Sequence, residues 1–216
     1  MGSLCYAIRP IIKVLERDIV KEDKRRKRNS YTPGGFKMNR KDIIAKDLHL
    51  MPLSDEGGYF SETYRSQEKV ESEREGSSRS LLTIIYYLMS HDMGGRNYLH
   101  SNKSDIVHFF HDGWPVQYIT VSPEGKYEEF IVGNDVSKGQ VPQLTVKGGY
   151  FKAARVMNEL KEYETFQGEV PFTLISEAVA PGFDYRDRFV PGLKDVKKLH
   201  PDLLQKMEEH IAPDKK

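Results

Sequence analysis

An all-β jelly roll with short helices at either end is the fold class predicted by three features of this 216-residue chain. Between residues 57 and 180 the sequence breaks into short runs rich in Tyr, Phe, Val, Ile and Thr. Gly, Pro, Ser and Asn clusters separate them at intervals that suit a sandwich or barrel. Hardly any helical periodicity lies between those runs, which argues against alternating strands and helices. Apolar residues at helical spacing gather instead toward the two ends.

The first element in order is a helix over 8–20, because Ile8, Ile12, Leu15 and Ile19 fall at spacings of four, three and four on one stripe. The run Lys24-Arg25-Arg26-Lys27-Arg28 and the breakers Tyr31-Thr32-Pro33-Gly34-Gly35 read as a solvated linker. A nuclear-import or nucleic-acid patch is the competing reading of such a run. Asn39 with Asp42 can cap a second short helix carrying Ile43, Ile44 and Leu48. Strands are predicted near 58–66, 80–90, 96–101, 105–111, 115–121, 126–132, 142–146, 150–157 and 171–180, with Ser122-Pro123-Glu124-Gly125 as a turn. Beyond Pro191-Gly192, Pro201 and Asp202 open a last helix whose Leu203, Leu204, Met207 and Ile211 form one face suited to packing on the barrel. The expected organisation is a helical, basic extension at 1–44, a barrel domain at 45–190 and a helical tail at 191–216.

With 38% hydrophobic and 30% charged residues, the chain can bury one good core without a second domain. Lys+Arg 33 against Asp+Glu 32 leaves a net charge of +1, so no global field favours nucleic acid or an anionic membrane, and neither is an expected partner. The longest apolar run, Leu81 to Met89, is strand length, well short of the ~20 residues that span a bilayer. The one cysteine, Cys5, excludes an internal disulfide framework and fits a reducing compartment. Met1-Gly2-Ser3-Leu4-Cys5-Tyr6 carries Tyr6 where a myristoylation signal wants Ser or Thr, and the N-terminus reads as a poor secretory leader. The expected location is the cytoplasm, with the nucleus as the alternative raised by the basic run.

The chemistry is concentrated in two polar-bearing stretches, Tyr98 to Gly113 and Pro142 to Ala154. Paired hairpins of this kind are how a small barrel aims side chains into one cavity. Asp55-Glu56-Gly57-Gly58-Tyr59-Phe60-Ser61-Glu62-Thr63-Tyr64-Arg65-Ser66 resembles the opening signature of an RmlC-like cupin family that carries a domain-of-unknown-function label. Three blocks agree with that family in order: Thr83 to Leu88, Lys103 to Phe110, and Val179-Ala180-Pro181-Gly182-Phe183-Asp184-Tyr185. The resemblance spans roughly residues 45 to 190. It implies a double-stranded β-helix, the cupin jelly-roll barrel, usually a homodimer and with a ligand cavity inside, but it does not imply a reaction.

Metal-binding cupins place two histidines and a glutamate in the first motif and a histidine in the second. On that pattern His100 and Asp105 stand at two ligand positions, while Tyr98 and Lys152 replace the other two. An ammonium at Lys152 repels a divalent ion, so no metal and no cofactor is expected. Strict alternation, with Asp105 inward, turns His108 outward unless a bulge intervenes. It also places Tyr150 with Lys152. His100, Asp105, Tyr150 and Lys152 then surround a cavity, joined either by Tyr59, Ser61, Thr63 and Arg65 or by Phe60, Glu62 and Tyr64. As in the RmlC-like epimerases, His100 with Asp105 is the expected base, with Tyr150 or Tyr98 as the acid. Arg65 and Lys152 would clamp a phosphate or carboxylate, Glu62 is a candidate pocket acid, and His108 joins the ligand-binding set.

The favoured function is a metal-free cupin that binds a small molecule, with isomerase- or epimerase-type proton transfer on a sugar or phosphorylated metabolite. A metal-dependent, oxygenase-type cupin and a non-enzymatic interaction protein are the alternatives. A homodimer is expected, formed through a sheet face.

Overall fold

Alternating burial along short strands closes this chain into two stacked sheets. The computed structural model describes residues 38–53, 56–157 and 169–213. The expected helix over 8–20, the basic run, its linker and Cys5 lie outside the described residues. From Asn39 onward the chain forms one unit. It opens with helix α1 (Arg40–Asp47), whose flanking Asn39 makes no side-chain cap bond. Ile44 and Leu48 of this segment pack against the barrel core.

The first sheet runs in the order β1 (Met51–Pro52), β2 (Tyr59–Arg65), β5 (Thr83–Ser90), β12 (Phe172–Ala180), β7 (Asp105–Gly113) and β10 (Gln143–Val146). The second runs β13 (Arg188–Phe189), β6 (Arg96–Asn102), β11 (Phe151–Val156), β8 (Val116–Val121) and β9 (Tyr127–Val132). A separate hairpin pairs β3 (Lys69–Glu71) with β4 (Ser78–Ser80). Each pairing between named strands is antiparallel, and neighbours distant in sequence, such as β5 with β12, give the jelly-roll crossing. Nine of these strands fall where the sequence predicts them. The very short β1, β3, β4 and β13 give too little alternation to be seen that way.

The core lies between the sheets, where Tyr87 and Met89 of β5 meet Tyr118 of β8 and Ala154 of β11. A second apolar layer covers the outside of the five-stranded sheet. Leu99, Ile119, Val121, Phe151 and Ala153 pack there with Val196 of α2 (Leu193–Leu199) and Met207 of α3 (Leu204–Met207). The expected tail helix is thus in place, broken into α3 and flanking 3-10 turns, and Leu203, Leu204 and Ile211 join its packing.

Candidate functional site

Polar side chains enter the barrel where alternation points them inward, and two bulges change which ones arrive. On β7, Ile106 and His108 face in, and on β12 Ile175, Glu177 and Val179 do the same. His108 and Glu177 are direct cross-strand partners in the six-stranded sheet, as Lys152 and His100 are in the five-stranded one. The two sheets are tied across the interior by Lys152 Nζ, which donates to Glu177 Oε1 at 3.2 Å and lies 3.3 Å from His108 Nε2. His108 Nδ1 sits 3.2 Å from Glu177 Oε1 and 3.3 Å from the Tyr118 hydroxyl. These contacts assign the tautomer: Nε2 accepts from the ammonium and Nδ1–H donates to the carboxylate.

The electrostatics follow from burial. Loss of water and the adjacent ammonium, against the opposing pull of Glu177, lower the His108 pKa to about 4, so the ring is neutral at pH 7. Burial alone would raise Glu177. The Lys152 charge and His108 overcome this and hold the carboxyl far below its ordinary value.

His100 stands beside this network. Between Lys152 and Ala154 the pairing of β11 with β6 shifts, so His100 and Asn97, three residues apart, both turn inward. Leu99 turns outward into the second apolar layer. His100 Nδ1 bonds the Tyr98 carbonyl at 2.7 Å, leaving Nε2 directed toward Glu56, 3.6 Å away. Burial pulls the His100 pKa below its usual value, Glu56 opposing and Lys152 reinforcing that shift. Glu56 also accepts from Asn97 Nδ2 at 3.1 Å and forms an ion pair with Arg188. The turn that delivers it needs Gly57 at φ +84, where a Cβ would stand 2.7 Å from the Arg96 carbonyl.

A cavity of about 290 Å³ opens above these groups. His100, Glu177 and Glu56 line it along with Asn102, Ile85 and Phe60, while Glu62, Arg65, Phe183, Asp184 and Tyr185 also contribute to its wall. Glu62 and Arg65 reach it together because a register shift in β2 at Thr63 interrupts the alternation. Neither alternating set drawn from the sequence contains both residues. Arg65 grips Glu62 with Nε at 2.9 Å and Nη2 at 2.6 Å, and its Nη1 donates to the Phe183 carbonyl at 3.2 Å.

Several expected placements are corrected. Asp105 does not meet His100: its side chain is 44% exposed, held by Lys147 Nζ and the Gly148 N–H, both at 2.8 Å. A turn amide and a lysine satisfy that carboxylate outside, which reverses the facing along β7 and brings His108 in. Tyr150 is half-buried in the turn before β11 and Tyr98 flanks the β6 bulge; neither lines the cavity. Lys152 is inside the barrel but only 2% exposed, and its charge is committed to Glu177, so it is no clamp at an entrance. Glu177, Glu56 and Asn97 are site residues that sequence reasoning missed. Glu177 had a signal, being the one acidic residue in the otherwise apolar and small-residue run Phe172 to Ala180.

A cupin metal centre gathers imidazoles and a carboxylate around one ion. Here the two donors closest together, His108 and Glu177, both contact the Lys152 ammonium, and no group of three His, Cys, Asp or Glu among the described residues is placed to hold a metal. This donor set does not fit a divalent ion.

Residues 41–190 match the family model described as Cupin superfamily (DUF985). The chain belongs to that family. An uncharacterized protein of Saccharomyces cerevisiae, YML079W, is 38% identical to this cupin over 154 residues, 67% of this chain and 72% of the yeast protein. A hypothetical protein from Leishmania major is 29% identical with a TM-score of 0.71, covering 81% of this chain and all of that one. Protein SO0799 of Shewanella oneidensis, 23% identical with a TM-score of 0.65, covers 82% of this cupin and 99% of its own chain and supports the fold. Family, barrel and cavity together make this a small-molecule-binding cupin in type. Among the described residues no helix is long and apolar enough to cross a membrane.

Proposed function

We propose that this cupin binds a neutral polyhydroxylated molecule of monosaccharide size and moves a proton at carbon next to its carbonyl, without a metal. One observation carries the reading: His100 is buried and neutral, with Nδ1 tied to a backbone carbonyl and Nε2 left on the cavity side as a base. The lining supports a polyol over a phosphorylated guest, since Glu56, Glu62, Glu177 and Asp184 offer acceptors to hydroxyl donors while the Arg65 guanidinium is already held by Glu62. Phe60, Phe183 and Tyr185 supply apolar faces for the ring.

In this scheme Nε2 takes the proton, the C–H electron pair becomes the C=C bond, and the carbonyl π pair moves onto oxygen to give an enolate. Asn102 lines the cavity with its Oδ1 taken by the Ser104 N–H at 2.9 Å, and its amide NH2 is the donor this scheme assigns to that oxyanion. The same imidazole returns the proton to the former carbonyl carbon while the neighbouring hydroxyl of the guest passes its proton to the enolate oxygen, which completes isomerisation on one face. Tyr150 and Tyr98, the acids expected from the sequence, are absent from the described lining of the cavity and take no part in this scheme.

The test is a panel of neutral aldoses and ketoses incubated in D2O with wild-type protein and the His100→Gln variant, followed by proton NMR. Wild type should exchange the C–H beside the carbonyl, and the variant should bind but exchange at least 100-fold more slowly. Exchange that survives in His100→Gln, or its absence from every bound sugar, defeats the reading. A cytoplasmic homodimer joined through a sheet face belongs to the same proposal, and a monomeric mass by light scattering at micromolar concentration would remove the dimer.

A further inference from the structure

We infer that Glu62 is the residue that denies anions to this cavity, by keeping the guanidinium of Arg65 closed. The inference rests on the cavity being the ligand site and specifies what that site rejects. Among the described residues that line the cavity Arg65 is the one guanidinium or ammonium, and so the one suited to grip a phosphate or carboxylate at two points. Its fork is already engaged. Nε and Nη2 hold both oxygens of Glu62, and Nη1 is bound to the Phe183 carbonyl.

Glu62 thus occupies the position a ligand carboxylate would take, in the geometry such a ligand would adopt. The other lining carboxylates are matched elsewhere: Glu177 by Lys152, Glu56 by Arg188 and Asp184 by Arg186. Removing only the Glu62 charge frees the Nε and Nη2 donors of Arg65 on the cavity wall, with Asp184, itself gripped by Arg186, as the remaining carboxylate in its field. The pair is 42% and 37% exposed, so the exchange of partner needs no core rearrangement. The β2 bulge at Thr63 is what makes the device work, because an unbroken strand would turn one of the two away.

Inorganic phosphate is the probe. Wild type, Glu62→Gln and the double variant Glu62→Gln/Arg65→Gln, each as the full chain, would be titrated calorimetrically, with thermal melts to verify folding. Glu62→Gln should bind phosphate at least tenfold more tightly than wild type, and the double variant should lose that gain. Equal affinity in wild type and Glu62→Gln, or a gain that persists without Arg65, overturns the inference. If Glu62→Gln does not fold, Glu62→Ala replaces it with the same criteria. A wild-type chain that binds no neutral sugar refutes the proposed function, while the phosphate comparison still reads Glu62 alone.

Discussion

Deep in the barrel Lys152 and Glu177 meet at 3.2 Å with side chains 2% and 12% exposed, whereas Arg65 and Glu62 meet at 2.6 Å with more than a third of each in solvent. The chemistry is one cation and one carboxylate in both places, but the surroundings assign different roles. Water around the outer pair screens its attraction and lets either partner leave for a ligand. The inner pair has nowhere to go. Its charges were taken out of water, and only their mutual contact and His108 offset that cost. A barrel can therefore hold its shape with one salt bridge and choose its guest with another.

The largest effect should come from breaking the inner pair. Lys152→Met leaves Glu177 buried without its cation and should cost about 3–5 kcal/mol in denaturant unfolding; a loss under 1 kcal/mol would mean that Glu177 reaches water. Asp187 is a second buried test, since Arg79 holds it through two bonds of 2.8 Å and Arg74 adds one at 3.0 Å. Asp187→Ala should cost about 3 kcal/mol and loosen the β3–β4 hairpin, read by faster hydrogen exchange at Ser78 to Ser80.

Acid gives a smaller and graded effect. The unfolded chain protonates His108 near its ordinary value of 6.5, while the folded protein resists until about pH 4, so the unfolded state binds more protons between those limits. Stability is fully present above pH 6.5 and should fall by about 2 kcal/mol by pH 5. Below the ordinary carboxylate range the depressed Glu177 group adds a further loss in the same direction. A flat unfolding midpoint from pH 6.5 to 5 would break the account of the inner cluster. The smallest effect belongs outside: Arg65→Gln should change stability by less than about 1 kcal/mol, and a larger loss would erase the contrast between the two pairs.

The strands were legible because alternation and turn residues act locally, and Lys152 was expected to face the cavity because it stands at a histidine's place in the cupin-like second motif, though as a clamp and not as a buried partner of Glu177. The facing of β7 was misread because the partners of Asp105 lie 42 and 43 residues away, at Lys147 and Gly148. The joint arrival of Asn97 with His100, and of Glu62 with Arg65, depends on bulges, and one extra residue in a strand leaves no mark in composition. Glu177 was within reach, since a buried lysine requires a counter-charge and β12 offers one inward acid.

The outer layer on the five-stranded sheet has a consequence for synthesis. Leu99, Ile119, Val121, Phe151 and Ala153 wait for Val196 and Met207 as cover. Until the ribosome has added those last turns, a nascent chain with both sheets formed still shows a greasy surface to the cell, and chaperones have that interval in which to bind it.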